Sequence, residues 1–429
     1  MTLHTITLPE QAAGPAHPAL ADKLGAAMVA IAALMLCIGG FGAFEGFDVL
    51  YMTLTFGLGS IGGVLVARGS FRGLPGIRNN GVMTSGMQRR GLVGWAMGVA
   101  FTGFYCLLYW FPESLVHVVQ AVNPVSMAIR GIPADRWFLY GSLYTAAVVI
   151  MGVRMIGRYR HNRYQQIRTL SVMFFQFMAA WLVPALLIGI GSKEFYFHYF
   201  WPLKYDYLFP STLKGLLASP DSLLVFMGFW SMAMTVLATP VLTYFFGKRW
   251  YCSWVCGCGA LAETLGDPWR QNSDKSTAAW KLERWLVHGV LVFIVLTTVL
   301  VWWNSASGGH VLGKASTVVA DVYGFAIGAM FSGVIGVGFY PILGSRVWCR
   351  FGCPMAAVLG ILQRSFSKFR ITTNGAQCIS CGNCSTYCEM GIDVRAYAQR
   401  GADVKRASCV GCGVCAAVCP RGVLKLENR

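Results

Sequence analysis

Long uncharged apolar runs, separated by short polar and basic segments, occupy most of the first 344 residues. A helix that crosses a bilayer needs about 20 apolar residues, within a range of about 17–25. Runs of that length occur eight times, at residues 24–43, 49–67, 92–111, 137–153, 170–191, 222–246, 286–303 and 322–344. The pattern predicts an all-α polytopic membrane domain of about eight transmembrane helices at 24–344, after a short N-terminal tail at 1–23.

The composition agrees with a bilayer as the main solvent and with membrane lipid as a partner. Apolar residues make up 55% of the 429 residues and charged residues only 12%, whereas a soluble domain carries roughly 25% charged residues. An ordinary soluble globule and a disordered protein are therefore excluded.

Positive charge is divided unequally between the loops. The chain has 35 Lys and Arg against 18 Asp and Glu, and alternating spans place 29 of those cations on one side of the membrane. Since basic loops stay in the cytoplasm, we predict a multi-pass protein of the bacterial cytoplasmic (inner) membrane with both termini cytoplasmic. The net charge of +17 is then a topological signal, and no nucleic-acid partner is predicted.

A small polar module follows the last span. Residues 345–376 combine a Cys-x3-Cys-Pro loop with a segment, 354–370, whose spacing predicts an amphipathic helix near the membrane interface. Residues 377–429 are too few to form a strong apolar core, so their fold would need bound metal to stabilise it. We predict a small α+β ferredoxin domain of the bacterial two-cluster type there, on the cytoplasmic side.

Two runs of four cysteines carry the strongest chemical signal. They are Cys378-x2-Cys381-x2-Cys384-x3-Cys388 and Cys409-x2-Cys412-x2-Cys415-x3-Cys419-Pro420. In the bacterial ferredoxin pattern, the fourth cysteine of each run binds the other cluster. We therefore assign one [4Fe–4S] cluster to Cys378, Cys381, Cys384 and Cys419, and the other to Cys409, Cys412, Cys415 and Cys388. Paired zinc sites fit poorly, because zinc ligand pairs are separated by a longer gap. Glu389 stands where the first run normally has Pro, which is expected to loosen the distal ligand of the second cluster without removing the site.

Two related Cys-x3-Cys motifs follow the sixth and eighth spans. One is Cys252-Ser-Trp-Val-Cys256, in a loop at 252–258, and the other is Cys349-Arg-Phe-Gly-Cys353-Pro354. Pro354 suits the first helical position, so Cys353 is expected at a helix N-terminus, where the dipole and nearby Arg350 would favour a thiolate. Lys248 and Arg249 would add positive charge at the first motif. We predict that the four cysteines meet as a redox-active or soft-metal site; the alternative is four structural cysteines.

The eight-ligand tail, the basic loops and the two Cys-x3-Cys motifs together resemble the membrane polyferredoxins of the NapH, NosR and CcoG type. The resemblance covers roughly residues 220–429, and it departs from the family at Gly257, which replaces the expected Pro, and at Cys258, which adds a fifth thiol. It implies service to a respiratory-type system. NapH is a quinol dehydrogenase component of periplasmic nitrate reduction, NosR serves nitrous oxide reductase, and CcoG is an oxidase-assembly protein. A quinone is therefore a further candidate cofactor.

An aromatic segment at 195–209, FYFHYFWPLKYDYLF, carries nine aromatic residues on the predicted periplasmic side. An interfacial aromatic belt explains it. A quinol pocket or a docking platform for a periplasmic partner is the alternative.

These observations favour an integral membrane electron carrier that passes single electrons between a cytoplasmic or quinone donor and a membrane or periplasmic acceptor. Such a protein is an electron-transfer subunit or accessory protein rather than a stand-alone enzyme, and it needs a redox partner protein on the cytoplasmic side. A second partner in the membrane or periplasm would complete the path. Two other functions stay open: a thiol-based copper reductase or metalloenzyme assembly factor, and an iron–sulfur redox sensor.

Overall fold

The computed structural model describes residues 20–69 and 90–429. Most of the predicted tail at 1–23 lies outside the described residues, as do the loop cations Arg72, Arg78 and Arg89. In chain order, the helices named below are α1 (Leu20–Gly39), α2 (Asp48–Arg68), α3 (Leu92–Trp110), α4 (Arg136–Arg158), α5 (Arg163–Gly189), α6 (Ser222–Phe246), α7 (Gly257–Glu263), α8 (Thr277–Ala306), α9 (Ala315–Ile335), α10 (Pro354–Ser365) and α11 (Val394–Gln399).

Eight of these helices, α1 to α6 with α8 and α9, are long and apolar enough to cross a membrane, which confirms the polytopic all-α prediction. Capping side chains begin several of them: at α4, the Asp135 carboxylate accepts hydrogen bonds from the Trp137 and Phe138 amides, both at 2.8 Å. Helix α8 begins well before the predicted run at 286–303, because its first turns carry charges that an apolar criterion rejects. One of them, Glu283, is buried against Arg350 at 2.8 Å.

The C-terminal module is closed by two antiparallel strands, β1 (Phe369–Thr373) and β2 (Leu424–Asn428), which pair from Phe369 opposite Asn428 to Thr373 opposite Leu424. Between them lie the two cysteine runs, α11 and two one-turn helices, Asn383–Thr386 and Val414–Ala417. A small α+β module attached to a helical membrane-type domain is the predicted fold class.

Helix α10 differs from the predicted amphipathic segment at 354–370. It ends at Ser365, and much of its length is buried. It packs on α6 and α8, and the Gln363 amide donates to the carbonyls of Arg406 at 2.7 Å and Cys409 at 2.8 Å. This helix therefore joins the membrane helices to the C-terminal module.

Candidate iron–sulfur sites and the buried thiols beside them

The structure gathers the eight C-terminal cysteines around two cavities. The first cavity, of about 360 Å³ with its open mouth, is lined by Cys378, Cys381, Cys384 and Cys419, here called the first cysteine set. The second, of about 380 Å³, is lined by Cys388, Cys409, Cys412 and Cys415, the second cysteine set. These are the two combinations that the crossed ferredoxin pattern predicts.

The residues around both cavities fit an iron–sulfur cluster. Each cavity offers four thiols, the ligands that [4Fe–4S] clusters use. Gly382 and Gly413, which precede the one-turn helices, have left-handed φ angles of 79° and 73°, so the chain can turn tightly around each cavity. The Ile392 amide also donates to Cys388 Sγ at 3.4 Å, the kind of contact that stabilises a sulfur ligand.

The two sets differ in exposure. Cys381 of the first set is exposed, whereas every residue lining the second cavity is at least half-buried. The loop of the second set is held by side chains of the membrane domain. Gln165 donates to the Cys412 carbonyl at 2.8 Å, Ser253 to that of Val410 at 2.8 Å, and Tyr164 to that of Gly411 at 3.0 Å. One set thus faces solvent and the other faces the membrane helices.

Eight charged side chains form a continuous buried ionic network where the module meets these helices. Its members are Glu263, Asp267, Glu389, Arg154, Arg158, Arg168, Arg270 and Arg346, and none is more than 3% exposed. Burial alone would raise the pKa of Glu263, but its arginine partners hold that pKa well below the usual range. The network reaches the second set, because carboxylate oxygens of Glu263 and Glu389 and Sγ of Cys412 lie within 4.8 Å of one another.

Glu389, which stands where the motif normally has Pro, is held firmly in the structure. Its carboxylate contacts Arg270 at 2.7 Å and Arg346 at 3.0 Å. Its backbone carbonyl accepts a hydrogen bond from Ser273 at 2.6 Å. The residue that replaces Pro anchors the second set to the membrane domain.

The four cysteines of the two Cys-x3-Cys motifs, here called the junction cysteines, lie in one buried cluster with residues of the second set. They are Cys252, Cys256, Cys349 and Cys353. Among the described residues, no three of these sulfurs lie within 4.8 Å of one another, a wider spacing than the thiolates of a single zinc ion adopt. The arrangement suits a relay or a larger cofactor better than a mononuclear metal site.

The prediction that Cys353 is a thiolate is wrong. Burial raises the pKa of this thiol more than its position at a helix N-terminus lowers it. Cys353 does cap α10, accepting from the Ala356 amide at 3.4 Å. Burial and then the neighbouring thiols nevertheless raise its pKa well above the usual value. The cation expected to help, Arg350, is turned away to Glu283 at 2.8 Å and the Asp274 carbonyl at 2.6 Å.

Burial raises the pKa of the Cys252 thiol to about 12, and the charge of Lys248 acts against that rise, as expected at the first motif. Both cations of this motif also have other contacts. Lys248 donates to the Ala407 carbonyl at 3.1 Å, and Arg249 lies over the Phe369 ring at 4.4 Å. A cation that the sequence analysis missed, Arg346, contacts the junction cysteines directly. It donates to Cys349 Sγ at 3.5 Å and to the Cys252 carbonyl at 3.2 Å.

Two residues depart from the family motif. Cys258 lines a cavity of about 1050 Å³, open mouth included, in the membrane domain, and the Gly257 carbonyl accepts a hydrogen bond from the cavity residue Tyr144 at 2.9 Å. A Cβ at residue 257 would lie 2.8 Å from the Gln176 amide oxygen and 3.2 Å from the Tyr199 hydroxyl, so a larger residue there would displace the end of the Gln176 side chain. Cys258 lines the cavity, and a hydrogen bond from Cys258 lowers the pKa of Cys256 to about 7. Cys258 thus connects the junction cysteines with the cavity.

The aromatic segment at 195–209 supplies part of this cavity. Tyr196 and Tyr199 line the cavity, with Trp137, Tyr140, Tyr144 and Trp181 from the membrane helices. Phe195, His198 and Phe200 are buried, and the His198 carbonyl accepts from Tyr251, the neighbour of Cys252, at 2.9 Å. Phe200 and the His198 backbone therefore lie beside the thiol cluster.

Two family models match the chain at these motifs. The one described as a 4Fe–4S dicluster domain matches residues 377–424, which hold both C-terminal cysteine sets. The one described as a 4Fe–4S binding domain matches residues 228–275 and 324–373, which hold the junction cysteines. The class is thereby defined: this is a protein with 4Fe–4S ferredoxin-type domains and, within residues 20–69 and 90–429, eight membrane-type helices.

Its relatives carry ferredoxin and electron-transport names. It is 27% identical over 170 residues to YccM of Escherichia coli K12, which is described as an electron transport protein; the match covers 37% of this chain and 46% of the relative. It is 29% identical over 169 residues to the methylamine utilization ferredoxin-type protein MauN of Paracoccus denitrificans, covering 37% of this chain and 56% of the relative. The chain thus spans about half the length of these relatives. No solved structure matches it.

Proposed function

We propose that this chain is a membrane electron carrier that exchanges single electrons with a soluble protein at one end and with a lipid-soluble acceptor or donor at the other. The observation that carries the proposal is the serial order of its sites. A solvent-exposed cysteine set is followed by a buried set, then by the junction cysteines, and then by the membrane cavity. The name of the Escherichia coli relative, an electron transport protein, supports the same function.

The proposed ligands are the two cysteine sets, with Cys388 and Cys419 exchanged between the runs. A [4Fe–4S] cluster supplies a one-electron redox centre when bound by such a set. The protein contributes the ligands, the left-handed glycine turns and the amide contacts. We also propose the domain limits drawn from the sequence, with the ferredoxin domain at 377–429 and its connection to the membrane domain at 345–376.

Arg346 joins the second set to the junction cysteines in this proposal. Cys388 is followed by Glu389, whose carboxylate contacts Arg346 at 3.0 Å. Arg346 in turn donates to Cys349 Sγ. A short path of bonds and close contacts therefore runs from the buried set to the junction cysteines and, through Cys256 and Cys258, to the membrane cavity.

A quinone or quinol is the ligand class that we assign to this cavity. Aromatic side chains can pack against a ring, and Gln176, Tyr144 and Tyr199 offer hydrogen-bonding groups near Cys258. Three charged side chains also line the cavity: Arg130, Asp135 and Glu194. An apolar wall with a few convergent polar groups is the usual form of a small-molecule site. The lipid-soluble end of the path would lie here.

The sidedness belongs to the proposal as well. The excess of Lys and Arg in one set of loops supports a bacterial inner-membrane protein whose termini and ferredoxin domain are cytoplasmic. The soluble redox partner would then be a cytoplasmic protein.

The test uses the purified, cluster-loaded protein in lipid nanodiscs. After reduction without oxygen, it is mixed with decylubiquinone while the visible absorbance of the clusters is followed. We expect reoxidation that the Gln176→Leu variant slows at least about tenfold, as expected when a hydrogen bond in a binding site is removed. The Cys106→Ser variant, which changes a thiol outside the cavity, serves as the control. If ferricyanide reoxidises the protein but decylubiquinone does not, the assignment of the cavity is wrong; if no reducible cluster is present, the electron-carrier function is wrong.

A further inference from the structure

From the exposed edge of the first cysteine set we infer a docking surface for an acidic one-electron carrier protein. This surface, the first-set face, consists of Ile379, Cys381, Pro420, Arg395 and Arg421, all of which line the first cavity. All five are exposed, and the apolar Ile379 side chain is 60% exposed. The inference rests on the proposed function, since it names the place where the soluble partner binds.

The face has the composition of a transient redox interface. A small apolar spot formed by Ile379 and Pro420 lies beside an exposed cysteine, and cations stand at its edge. Electron-transfer encounters bury little area, and charge complementarity sets their rate more than their affinity. An exposed ligand also brings a partner's redox group close without any rearrangement.

The charge on the face is available to a partner. Arg395 and Arg421 form no ion pair within the described parts of the chain. Arg395 lies over the cysteine loop, with its guanidinium 3.8 Å from the Cβ position of Gly382. The nearby acid Asp393 is occupied, because it caps α11 and accepts a hydrogen bond from Ser385 at 2.7 Å. Two unpaired cations beside an exposed ligand therefore select an acidic surface.

The second cysteine set, in the same module, differs from the first in its accessibility to a soluble protein. Its loop is covered by Tyr164, Gln165 and Ser253 of the membrane domain, so no soluble partner can reach it. The first-set face is the part of the module where a carrier protein can approach a cysteine set.

The experiment measures binding and reduction by a flavodoxin of acidic surface, with the cluster-loaded protein in nanodiscs of zwitterionic lipid. The Arg395→Glu/Arg421→Glu double variant should weaken binding and slow reduction at least about tenfold at low salt, a difference that salt should largely remove. Arg400→Glu is the matched control: Arg400 is exposed on the same module but does not line the cavity. It should change either quantity less than about threefold.

Three results would overturn the inference. The first is that the double variant binds flavodoxin and is reduced as the unaltered protein is, and the second is that Arg400→Glu has an equally large effect. The third is that the unaltered protein loses flavodoxin binding when the nanodiscs contain phosphatidylglycerol, which would place the face against anionic lipid. Reduced methyl viologen, a small cation, separates this inference from the proposed function. If it reduces every variant normally, the clusters are competent and only the docking surface is at issue; if it reduces none, the electron-carrier function itself fails.

Discussion

Replacing Glu389 by Ala should release the C-terminal module from the membrane domain more readily than any surface substitution. The Glu389 side chain is fully buried, and it contacts two arginines that are themselves no more than 1% exposed. Its loss leaves uncompensated positive charge in the interface. In buried ion pairs, removal of one partner costs about 3–5 kcal/mol.

For Glu389→Ala we expect a loss of stability near the lower limit of that range. Arg270 and Arg346 would each keep Glu263 as a partner, at 3.0 and 2.7 Å. We therefore expect a loss of about 3 kcal/mol in the free energy of opening, which is a factor of about 100 in the population of the opened interface. Glu389→Gln should cost less, because it keeps the size of the side chain and its capacity for hydrogen bonds.

Hydrogen exchange of peptides from 263–273 and 386–392, read by mass spectrometry, measures the opening directly. The control is Glu427→Ala, which removes a surface ion pair with Arg429 at 2.8 Å and should cost less than about 1 kcal/mol. If exchange in the Glu389→Ala variant is no faster than in this control, the network does not hold the module in place.

Three further predictions follow from the sites. Cys409→Ser should lower iron and acid-labile sulfide from about eight to about four of each per chain and destabilise the C-terminal module, since metal binding supplies folding energy; stoichiometric zinc in the unaltered protein would contradict the cluster assignment. Cys353→Ser should stop electron transfer to decylubiquinone while leaving the spectra of both clusters unchanged, and full activity would make Cys353 a structural residue. Reporter fusions at Arg429 and beside the exposed Pro220 should report opposite sides of the membrane, whereas the same side for both would mean that the span count is wrong.

The local spacing of residues was enough to determine the eight spans and the three cysteines that each run contributes to its own set. The fourth member of each set, Cys419 or Cys388, comes from the other run and follows from the bacterial ferredoxin pattern. An apolar run of about 20 residues is expected to be helical in lipid, because only a helix satisfies all of its backbone hydrogen bonds within one segment. The x2 spacing likewise brings Cys378, Cys381 and Cys384 into one loop whatever surrounds it. Both signals are contained within about 20 residues of chain, and therefore the sequence alone carries them.

Only the tertiary structure decides which residues that are far apart in the chain contact one another. Arg346, Glu263 and Glu389 meet although no short motif relates them. Arg154 and Arg168, which the sequence counts among the cations between two spans, lie within α4 and α5 and are buried ion-pair partners. Burial also reversed the expectation for Cys353, because desolvation depends on every element packed around a thiol and not on the helix that begins there. The contribution of the aromatic segment at 195–209 to the membrane cavity has the same cause: an aromatic residue can face lipid or protein equally well, and only the packing of distant helices selects between them.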